Sequence, residues 1–412
     1  MNYVRDHRFQ ETGLSIKYDD APTQWFHYAD IEDAMEELRE RCEAEDVMII
    51  AHNTKFDGLI LTEKHGISPT LWGDTMAMAR GLWPQAEANL AAIAKRIFPN
   101  DTSKRKLDDL KDVRGLRAEE ITGELYERFA KYGVMDADLV YHCFNYMVEH
   151  LPEEEMYTIH VTTRMFCEPE IVLDESLMHQ AIKEDEDAKR KKINDGIKLI
   201  IEKLGIDYDA DAKTLSSNNQ FVSLLEDLKV KIPQKISLTT GKLAPAFGKA
   251  DVAFIKTQKD YPELKALWDA RIEVKSTISG SRAKRLLAAA QGRPNDDKKL
   301  VVPLVYYGAS TGRYAGNEKM NMQNLGRGSL HRLALTAGDG KLVYVEDSSN
   351  IEARVNAWFA NDVVLLDLFA SGGDVYSDMA EAIYGFPVSK KTHPFERGVG
   401  KVSVLGLGYN MG

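Results

Sequence analysis

Cysteines, long hydrophobic runs and sequence repeats are scarce or absent in this chain, and each absence excludes a class of protein. The three cysteines, Cys42, Cys143 and Cys167, lie far apart without metal-binding spacing. This pattern indicates reduced packing residues and argues against a disulfide scaffold or a zinc site. No apolar run approaches the roughly 18 residues of a membrane span, and no signal-peptide pattern opens the chain. A cytoplasmic protein without a membrane partner is expected.

The chain has no excess of positive charge, but its charges are unevenly distributed. The net charge of -11 would ordinarily argue against a nucleic-acid partner. From Arg271 to Arg332, however, 12 lysines and arginines outnumber 4 aspartates and glutamates, so this basic segment (residues 271–332) carries +8 and the remainder of the chain -19. A protein face that meets phosphate would produce this distribution. A solvated, charged helix is the alternative explanation.

Hydrophobic patterns indicate the organisation of the 412-residue chain, whose length suggests several domains. Near the start, GLSIKYDD and PTQWFHY read as strands, DIEDAMEELRERC as an amphipathic helix and DVMII as a buried strand, which predicts an α/β layer. A boundary is expected near residues 151–155. A strand, a long helix and a mainly helical region with one turn-rich interruption should follow. LVVPLVYYG and KLVYVED are predicted strands, and residues 351–412 are predicted to be helical.

The stretch KLVYVEDSSNIEARVNAWFAN places carboxylates at the end of a predicted strand. Residues 342–345 would deliver Asp347, and an aspartate at a strand end is a natural hard ligand for Mg²⁺. Ser349 and Glu352 have the spacing of a capping box, which would open a helix. A turn residue followed by an ordinary helix cap is the alternative interpretation of this stretch.

A stripe of residues near the C-terminus recurs every four positions and comprises Arg397, Lys401, Leu405 and Tyr409. On a helix the stripe is about 18 Å long, with two cations at one end and a phenol at the other. This length is close to the reach of a nucleotide from its γ-phosphate to its base. Several glycines weaken the same helix, which suggests that a substrate or template approaches its backbone closely. They are Gly398, Gly400, Gly406, Gly408 and Gly412.

Two further patterns lie in the predicted α/β region, Asn53-x3-Asp57 and Tyr132-x3-Asp136. On a helix Tyr132 and Asp136 share a face, so a phenol could orient water while the carboxylate holds a metal ion. Taken alone, each pattern is weak, and an ordinary helix surface explains it better than a metal site.

Five motifs in this sequence resemble those of the family A (polymerase I type) DNA polymerases, most closely the phage members. They occur in the order and approximate spacing of that family. The matching residues are Lys275-Ser276-Thr277, Thr311-Gly312-Arg313, Asn321-x-Gln323-Asn324, Asp347-x-Ser349-x-Ile351-Glu352-x-Arg354 and Arg397-x3-Lys401-x7-Tyr409. The sequence departs from the family at Asn350, where Gln is commoner, and at Leu405, where the family usually has an aromatic residue.

The resemblance implies an α/β multidomain fold, in which a ribonuclease H-like 3'-5' exonuclease domain precedes a partial right-hand polymerase domain. The implied division is an exonuclease-like domain (1–150), a palm-entry segment (151–176), a thumb-like helical region (177–293), part of the palm (294–360) and part of the fingers (361–412).

The resemblance also implies a DNA-directed DNA polymerase, a nucleotidyltransferase that adds dNTPs to a primer 3'-OH during DNA replication with two Mg²⁺ ions. Asp347 would bind metal, and Lys401 would share in catalysis. The phosphates would be bound by Arg397 and Lys401. Tyr409 would close over the base, while Glu352 would crowd a ribose 2'-OH. Leu405 would lie beside the incoming sugar.

Primer-template DNA is the other partner that the resemblance implies. The implied DNA-binding residues are Lys275, Arg313, Gln323, Asn324 and Arg332. Arg313, Gln323 and Asn324 would test base-pair geometry in the minor groove without reading sequence. The first domain is similar to proofreading exonucleases in their second and third motifs, through Asn53, Asp57, Tyr132 and Asp136. Asp57 and Asp136 would be metal ligands there.

Two carboxylate motifs of the family are not found where they are expected. The first exonuclease motif, Asp-x-Glu, should precede GLSIKYDD; Asp30-Ile31-Glu32 has this spelling, but it reads as a helix cap. The His-Asp-Glu hairpin of the palm does not occur. We therefore expect a split or truncated polymerase with an incomplete Mg²⁺ site, inactive alone and lacking proofreading. A second polypeptide would supply the palm motif, in the host cytoplasm if the gene is phage-encoded. The alternative is a catalytically silent primer-template binding subunit of a multichain replicase.

Overall fold

The computed structural model describes residues 2–107, 110–205, 209–237, 240–276, 278–293 and 297–408. The chain divides into two compact units, Met1–Leu342 and Val343–Gly412, called here the first unit and the second unit. The finer division into palm, thumb and fingers segments stays a prediction.

The first unit opens with an α/β region. Its helices are α1 (Asn2–Arg5), α2 (Ile31–Ala44), α3 (Thr54–Lys64), α4 (Thr75–Leu82), α5 (Leu90–Ile97), α6 (Gly123–Val148) and α7 (Glu153–Cys167). Strands β1 (Gly13–Ile16) and β2 (Gln24–His27) pair antiparallel, and β3 (Met48–Ala51) and β4 (Leu71–Asp74) pair parallel. The predicted strands and the predicted helix α2 are therefore confirmed. The strand β3 is only half-buried, contrary to expectation, because its sheet has two strands in the described part of the chain.

Local hydrogen bonds explain how β3 and β4 pass into their helices. Asn53 adopts a left-handed conformation with φ of 69°, which turns the chain from β3 into α3. The hydroxyl of Thr54 donates to the Gly73 carbonyl at 2.6 Å and so ties the start of α3 to β4. The carboxylate of Asp74 caps α4 by accepting from the N–H groups of Met76 and Ala77. Each strand end is thereby held in a defined position. By contrast, Asp30 precedes α2 without forming a side-chain cap.

A mainly helical region follows, as predicted. Strand β5 (Val172–Leu173) leads into the 30-residue helix α8 (Glu175–Leu204), which Asp174 caps by accepting from the Leu177 N–H. The remaining helices are α9 (Ala212–Ser216), α10 (Asn218–Asp227), α11 (Val252–Asp260), α12 (Lys265–Lys275) and α13 (Ile278–Gln291). The turn-rich interruption contains a hairpin of β6 (Gln234–Ile236) and β7 (Leu243–Pro245). Phe221, Phe254 and Trp268 form the centre of this region's core.

The predicted strands between residues 300 and 347 are largely wrong. Only β8 (Leu304–Val305), β9 (Ala315–Gly316) and β10 (Leu335–Thr336) form. The short helix α14 (Leu330–Leu333) lies between β9 and β10 along the chain. LVVPLVYYG is interrupted because Pro303 has no N–H for a ladder, and the Leu304 N–H turns back to the Val302 carbonyl. Residues 341–348 form no strand. No strand of the described residues pairs with them, and Leu342 and Val345 are 77% and 80% exposed.

The second unit consists of four helices, α15 (Ile351–Ala360), α16 (Val363–Ala370), α17 (Val375–Tyr384) and α18 (Pro394–Gly408). The predicted helical character of residues 351–412 is confirmed up to Gly408. The helices pack around Ala353, Ala357, Phe369, Val375 and Tyr376. The capping-box interpretation is wrong, because α15 is preceded by a left-handed Asn350 that makes no side-chain cap. None of the helices in the described ranges has the length and apolarity needed to cross a bilayer.

Candidate functional site

Helix α18 places both predicted phosphate-binding cations over one aromatic ring. The Arg397 guanidinium lies 5.2 Å from the centroid of the Tyr376 ring, and Lys401 Nζ lies 6.0 Å from the same centroid. Arg397 also donates from Nε and Nη2 to the two carboxylate oxygens of Asp374, at 2.6 and 3.1 Å. Lys401 is exposed. The two cations therefore share one face of α18, and the carboxylate of Asp374 holds Arg397 in place.

Asp374 is a functional candidate that the sequence patterns did not indicate. It accepts from the Tyr376 N–H and from the Ser377 hydroxyl, and so caps α17. Burial disfavours its charged form, but hydrogen bonds from Arg397 and Ser377 and the charge of Arg397 outweigh this effect and lower the pKa of Asp374. An aspartate directly before an apolar helix is a recognisable N-cap signal. Its contact with Arg397, 23 residues away, has no such signal.

Gly400 allows α18 to approach α17 closely. A Cβ atom at this position would lie 2.1 Å from the Tyr376 carbonyl oxygen and 3.0 Å from the Ala380 backbone nitrogen. The predicted reason for this glycine, close approach of a substrate or template, is therefore wrong at this position, because another helix occupies the space. At Gly398, by contrast, an added Cβ atom would meet no described atom within 4 Å and would face open space. Gly412 lies outside the described residues.

The other predicted nucleotide-site residues are dispersed over the second unit. Asp347 is exposed on the irregular stretch before α15, and Glu352 is exposed in the first turn of α15. Leu405 is half-buried on α18, and Tyr409 lies outside the described residues. Within the described ranges, no three His, Cys, Asp or Glu side chains are grouped so that they could hold a metal ion. The residues around Asp347 that are described thus do not fit a two-metal site.

The basic segment is less available to phosphate than its charge suggests. Arg271 is 1% exposed and belongs to the core of the helical region, so its predicted place on a charged surface is wrong. Other cations of the segment form ion pairs. The pairs are Lys284 with Glu186, Arg293 with Glu63 and Asp297, Lys298 with Glu175, and Lys299 with Glu170.

Four of the five predicted DNA-binding residues are exposed in one part of the first unit, between residues 313 and 332, and Lys275 is exposed at the end of α12. Gln323 and Asn324 lie on the 3-10 turn Met322–Asn324, where the Asn321 side chain accepts from the Gln323 N–H at 3.0 Å. Arg282 of α13 donates to the Asn324 carbonyl at 3.1 Å. The turn is therefore fastened from both sides, while Gln323 and Asn324 stay accessible to solvent. Arg313 and Arg332 are also exposed.

The predicted exonuclease residues lie at the end of β3, on α3 and on α6. Tyr132 and Asp136 share a face of α6, as predicted. Lys106 from the preceding loop contacts both side chains on that face. Asp57 in α3 is exposed on one side, yet the surrounding protein desolvates its carboxylate and, with the nearby charge of Asp74, raises its pKa to about 6. Asn53 donates its N–H to Asp74 at 3.1 Å.

These residues do not fit the two Mg²⁺ ions that an exonuclease of this type would be expected to hold. One oxygen of Asp74 already accepts from three backbone N–H groups, those of Asn53, Met76 and Ala77. Asp136 is paired with Lys106, an ammonium group rather than a metal ion. Asp74 and Lys106 were both missed in the sequence, since neither belongs to a recognisable motif.

Comparisons with known proteins agree with the order of these two regions along the chain. The 3'-5' exonuclease family matches residues 5–152, and DNA polymerase family A matches residues 186–412. DNA polymerase I of Borreliella burgdorferi is 23% identical over 387 residues, which are 88% of this chain and 38% of that protein. The DNA polymerase of Bacillus phage SP02 is 40% identical over 85 residues, which are 20% of this chain and 13% of that protein.

A solved structure gives the same fold. The POL domain of Pol1 from M. smegmatis, in complex with DNA primer-template and dNTP, aligns with a TM-score of 0.64 and 19% identity over 98% of this chain and 65% of that chain. The chain thus spans less than two thirds of the length of these relatives. The predicted fold class, an exonuclease domain followed by a polymerase domain, is confirmed. Because the polymerase family matches more than half of the sequence, the chain belongs to DNA polymerase family A.

Proposed function

We propose that this chain binds primer-template DNA and a dNTP as part of a template-directed DNA polymerase. The reaction is addition of the nucleotide to a primer 3'-OH. Family A polymerases generally use divalent metal ions for this reaction. The observation that carries the proposal is the arrangement on α18, where Arg397 and Lys401 lie over the Tyr376 ring and Asp374 fixes the guanidinium.

The contact with Asp374 leaves part of the Arg397 guanidinium available. Asp374 accepts hydrogen bonds from Nε and Nη2 of Arg397, so the Nη1 edge of the guanidinium can still donate to a phosphate. The Tyr376 ring below restricts the guanidinium further. Lys401 is one turn further along and supplies a mobile point charge. Together the two cations suit the β- and γ-phosphates of a nucleoside triphosphate.

Nucleotide binding can be tested with a fluorescent dNTP and fluorescence anisotropy. Lys401→Ala should weaken the affinity about 10- to 100-fold, because one charge-assisted phosphate contact contributes roughly 1.5–3 kcal/mol. Lys391→Ala is the matched control, since it removes an exposed lysine that precedes α18. Its affinity should equal that of the wild type. Equal losses in both variants, or none in either, would contradict the proposed site.

Primer-template binding should fall steeply with salt and show little sequence preference. Contacts to about four phosphates would reduce the affinity about 100-fold between 50 and 200 mM salt. Arg332→Ala should lower the affinity and flatten the salt dependence, whereas Arg41→Ala, which removes an exposed arginine from α2, should change neither. A labelled primer-template titrated at several salt concentrations would measure both effects. Salt-independent binding would contradict this proposal.

The alternative function, a catalytically silent primer-template binding subunit, is supported by the lack of a metal-binding group of carboxylates around Asp347 in the described residues. Primer extension distinguishes the two. We propose that the chain alone extends no primer, and that a second polypeptide carrying a His-Asp-Glu hairpin restores extension that depends on Asp347. Extension by the chain alone that is lost in Asp347→Ala would contradict the need for a second polypeptide. If a second polypeptide restores primer extension and Asp347→Ala does not affect that extension, the silent-subunit function would be favoured.

A further inference from the structure

Lys106 occupies the position beside Asp136 where a metal-dependent exonuclease would need a cation. Its ammonium group donates to Asp136 Oδ2 and lies 4.8 Å from the centroid of the Tyr132 ring. Tyr132 and Asp136 are one turn apart on α6, so a single lysine contacts both, while the Oδ1 atom of Asp136 is buried without a hydrogen-bond partner among the described residues. The contact joins residues 30 positions apart, and Lys106 and Asp136 are each about one quarter exposed.

The surroundings favour a charged lysine at this place. The ammonium group of Lys106 donates to the Asp136 carboxylate and lies over the Tyr132 ring, and both contacts stabilise its positive charge. Nearby His52 is kept neutral, since burial and the charges of Lys106 and Arg80 lower its pKa to about 4. The His52 Nδ1 atom lies 3.0 Å from the Thr75 hydroxyl, which in turn donates to the Ala51 carbonyl. His52 therefore adds no second positive charge beside Lys106.

Another carboxylate that the structure describes near this place, Asp74, is already bound to backbone N–H groups. Asp74 is buried, and its Oδ1 accepts these hydrogen bonds. A divalent ion at Asp136 would have to displace an ammonium group tethered to the same chain, and at short range it would be repelled by that group.

We infer that Lys106 is a built-in cation that takes the place of a metal ion at Asp136 and keeps this exonuclease-type cleft free of divalent metal. Lys106 reaches Asp136 from the loop that follows the 3-10 turn Thr102–Lys104. One substitution in that loop should therefore convert Asp136 into a metal ligand. This inference concerns the exonuclease-type region and does not depend on the proposed nucleotide and DNA binding.

The test is a titration of the full chain with Mn²⁺. The electron paramagnetic resonance signal of the free ion measures how much Mn²⁺ is bound. Lys106→Met keeps the apolar stem beside Tyr132 and removes the charge. We expect it to bind Mn²⁺ about tenfold more tightly or better than the wild type, because a repelling charge is removed at short range. The gain should vanish in the double variant Lys106→Met/Asp136→Asn. Lys131→Met is the matched control, because it removes an exposed lysine from α6, the helix that carries Asp136. This variant should bind Mn²⁺ as the wild type does.

The wild type gives an independent measurement that does not rely on the folding of any Lys106 variant. Mn²⁺ binding to the wild type and to Asp136→Asn should be equal, and neither should shorten 5'-labelled single-stranded DNA from its 3' end in Mg²⁺ or Mn²⁺. A wild-type Mn²⁺ site or 3' shortening that is lost in Asp136→Asn would overturn the inference. So would a folded Lys106→Met variant that binds Mn²⁺ no better than the Lys131→Met control.

Discussion

Replacing Arg271 by alanine should lower the free energy of unfolding of the first unit by about 3 kcal/mol or more. Arg271 is 1% exposed, and its guanidinium donates to the Leu215 carbonyl and the Asn218 side chain. It also lies 4.6 Å and 5.1 Å from the ring centroids of Phe221 and Phe247. Alanine would leave the buried Leu215 carbonyl without this donor and would open a cavity against the rings. A lower urea midpoint, measured by circular dichroism, would confirm the effect.

Lys275→Ala is the matched control for Arg271→Ala, because Lys275 lies one turn further along α12 and is exposed. It should change the free energy of unfolding by no more than about 0.5 kcal/mol. If Lys275 contacts DNA as proposed, this variant should instead weaken primer-template binding. Equal urea midpoints for the two variants would contradict a structural role for Arg271.

Gly400→Ala should destabilise the second unit by about 2 kcal/mol, because the added methyl group would overlap backbone atoms of α17. Backbone atoms cannot rotate away as a side chain can, so α18 must move. Movement of α18 would draw Arg397 away from Asp374 and Tyr376, and dNTP affinity should fall with stability. Urea unfolding and the anisotropy titration with a fluorescent dNTP would measure the two losses.

Gly398→Ala provides a control in the same helix with the opposite expected sign. An added Cβ atom at Gly398 would have no described atom within 4 Å. Alanine favours the helix over glycine by about 0.5–1 kcal/mol, so this variant should be slightly more stable than the wild type. Its dNTP affinity should not change. Loss of stability in Gly398→Ala as large as in Gly400→Ala would mean that close packing on α17 is not the cause.

Elements whose signals are local could be predicted from the sequence. The helix α2 and the strands β1 to β3 follow from apolar periodicity, and α8 follows from a long helical pattern after the capping residue Asp174. Residues 342–345 also have the composition of a strand. A strand forms only with a partner, however, and pairing depends on distant residues that composition does not reveal.

The candidate sites show the same limit. The spacing of Arg397 and Lys401 correctly places both on one face of a helix, because that geometry is local. The partner of Arg397 lies on another element, and Lys106 reaches Asp136 across 30 residues. Summing charges also treats every arginine as exposed. Arg271 follows the apolar residues Leu267 and Trp268 on α12 by one helical turn, and so lies on the same face as they do. This spacing is the signal that could have indicated its burial.

The unpaired apolar stretch at residues 342–345 has a consequence for the behaviour of concentrated solutions. The four uncharged residues of this stretch are exposed and form no strand, so copies of the chain can pair edge to edge through them. Lys341, Glu346 and Asp347 flank the stretch and act as charged gatekeepers against such pairing. Salt screens these charges, so the salt that weakens DNA binding also promotes self-association. Light scattering at each salt concentration would separate lost DNA affinity from protein removed by aggregation.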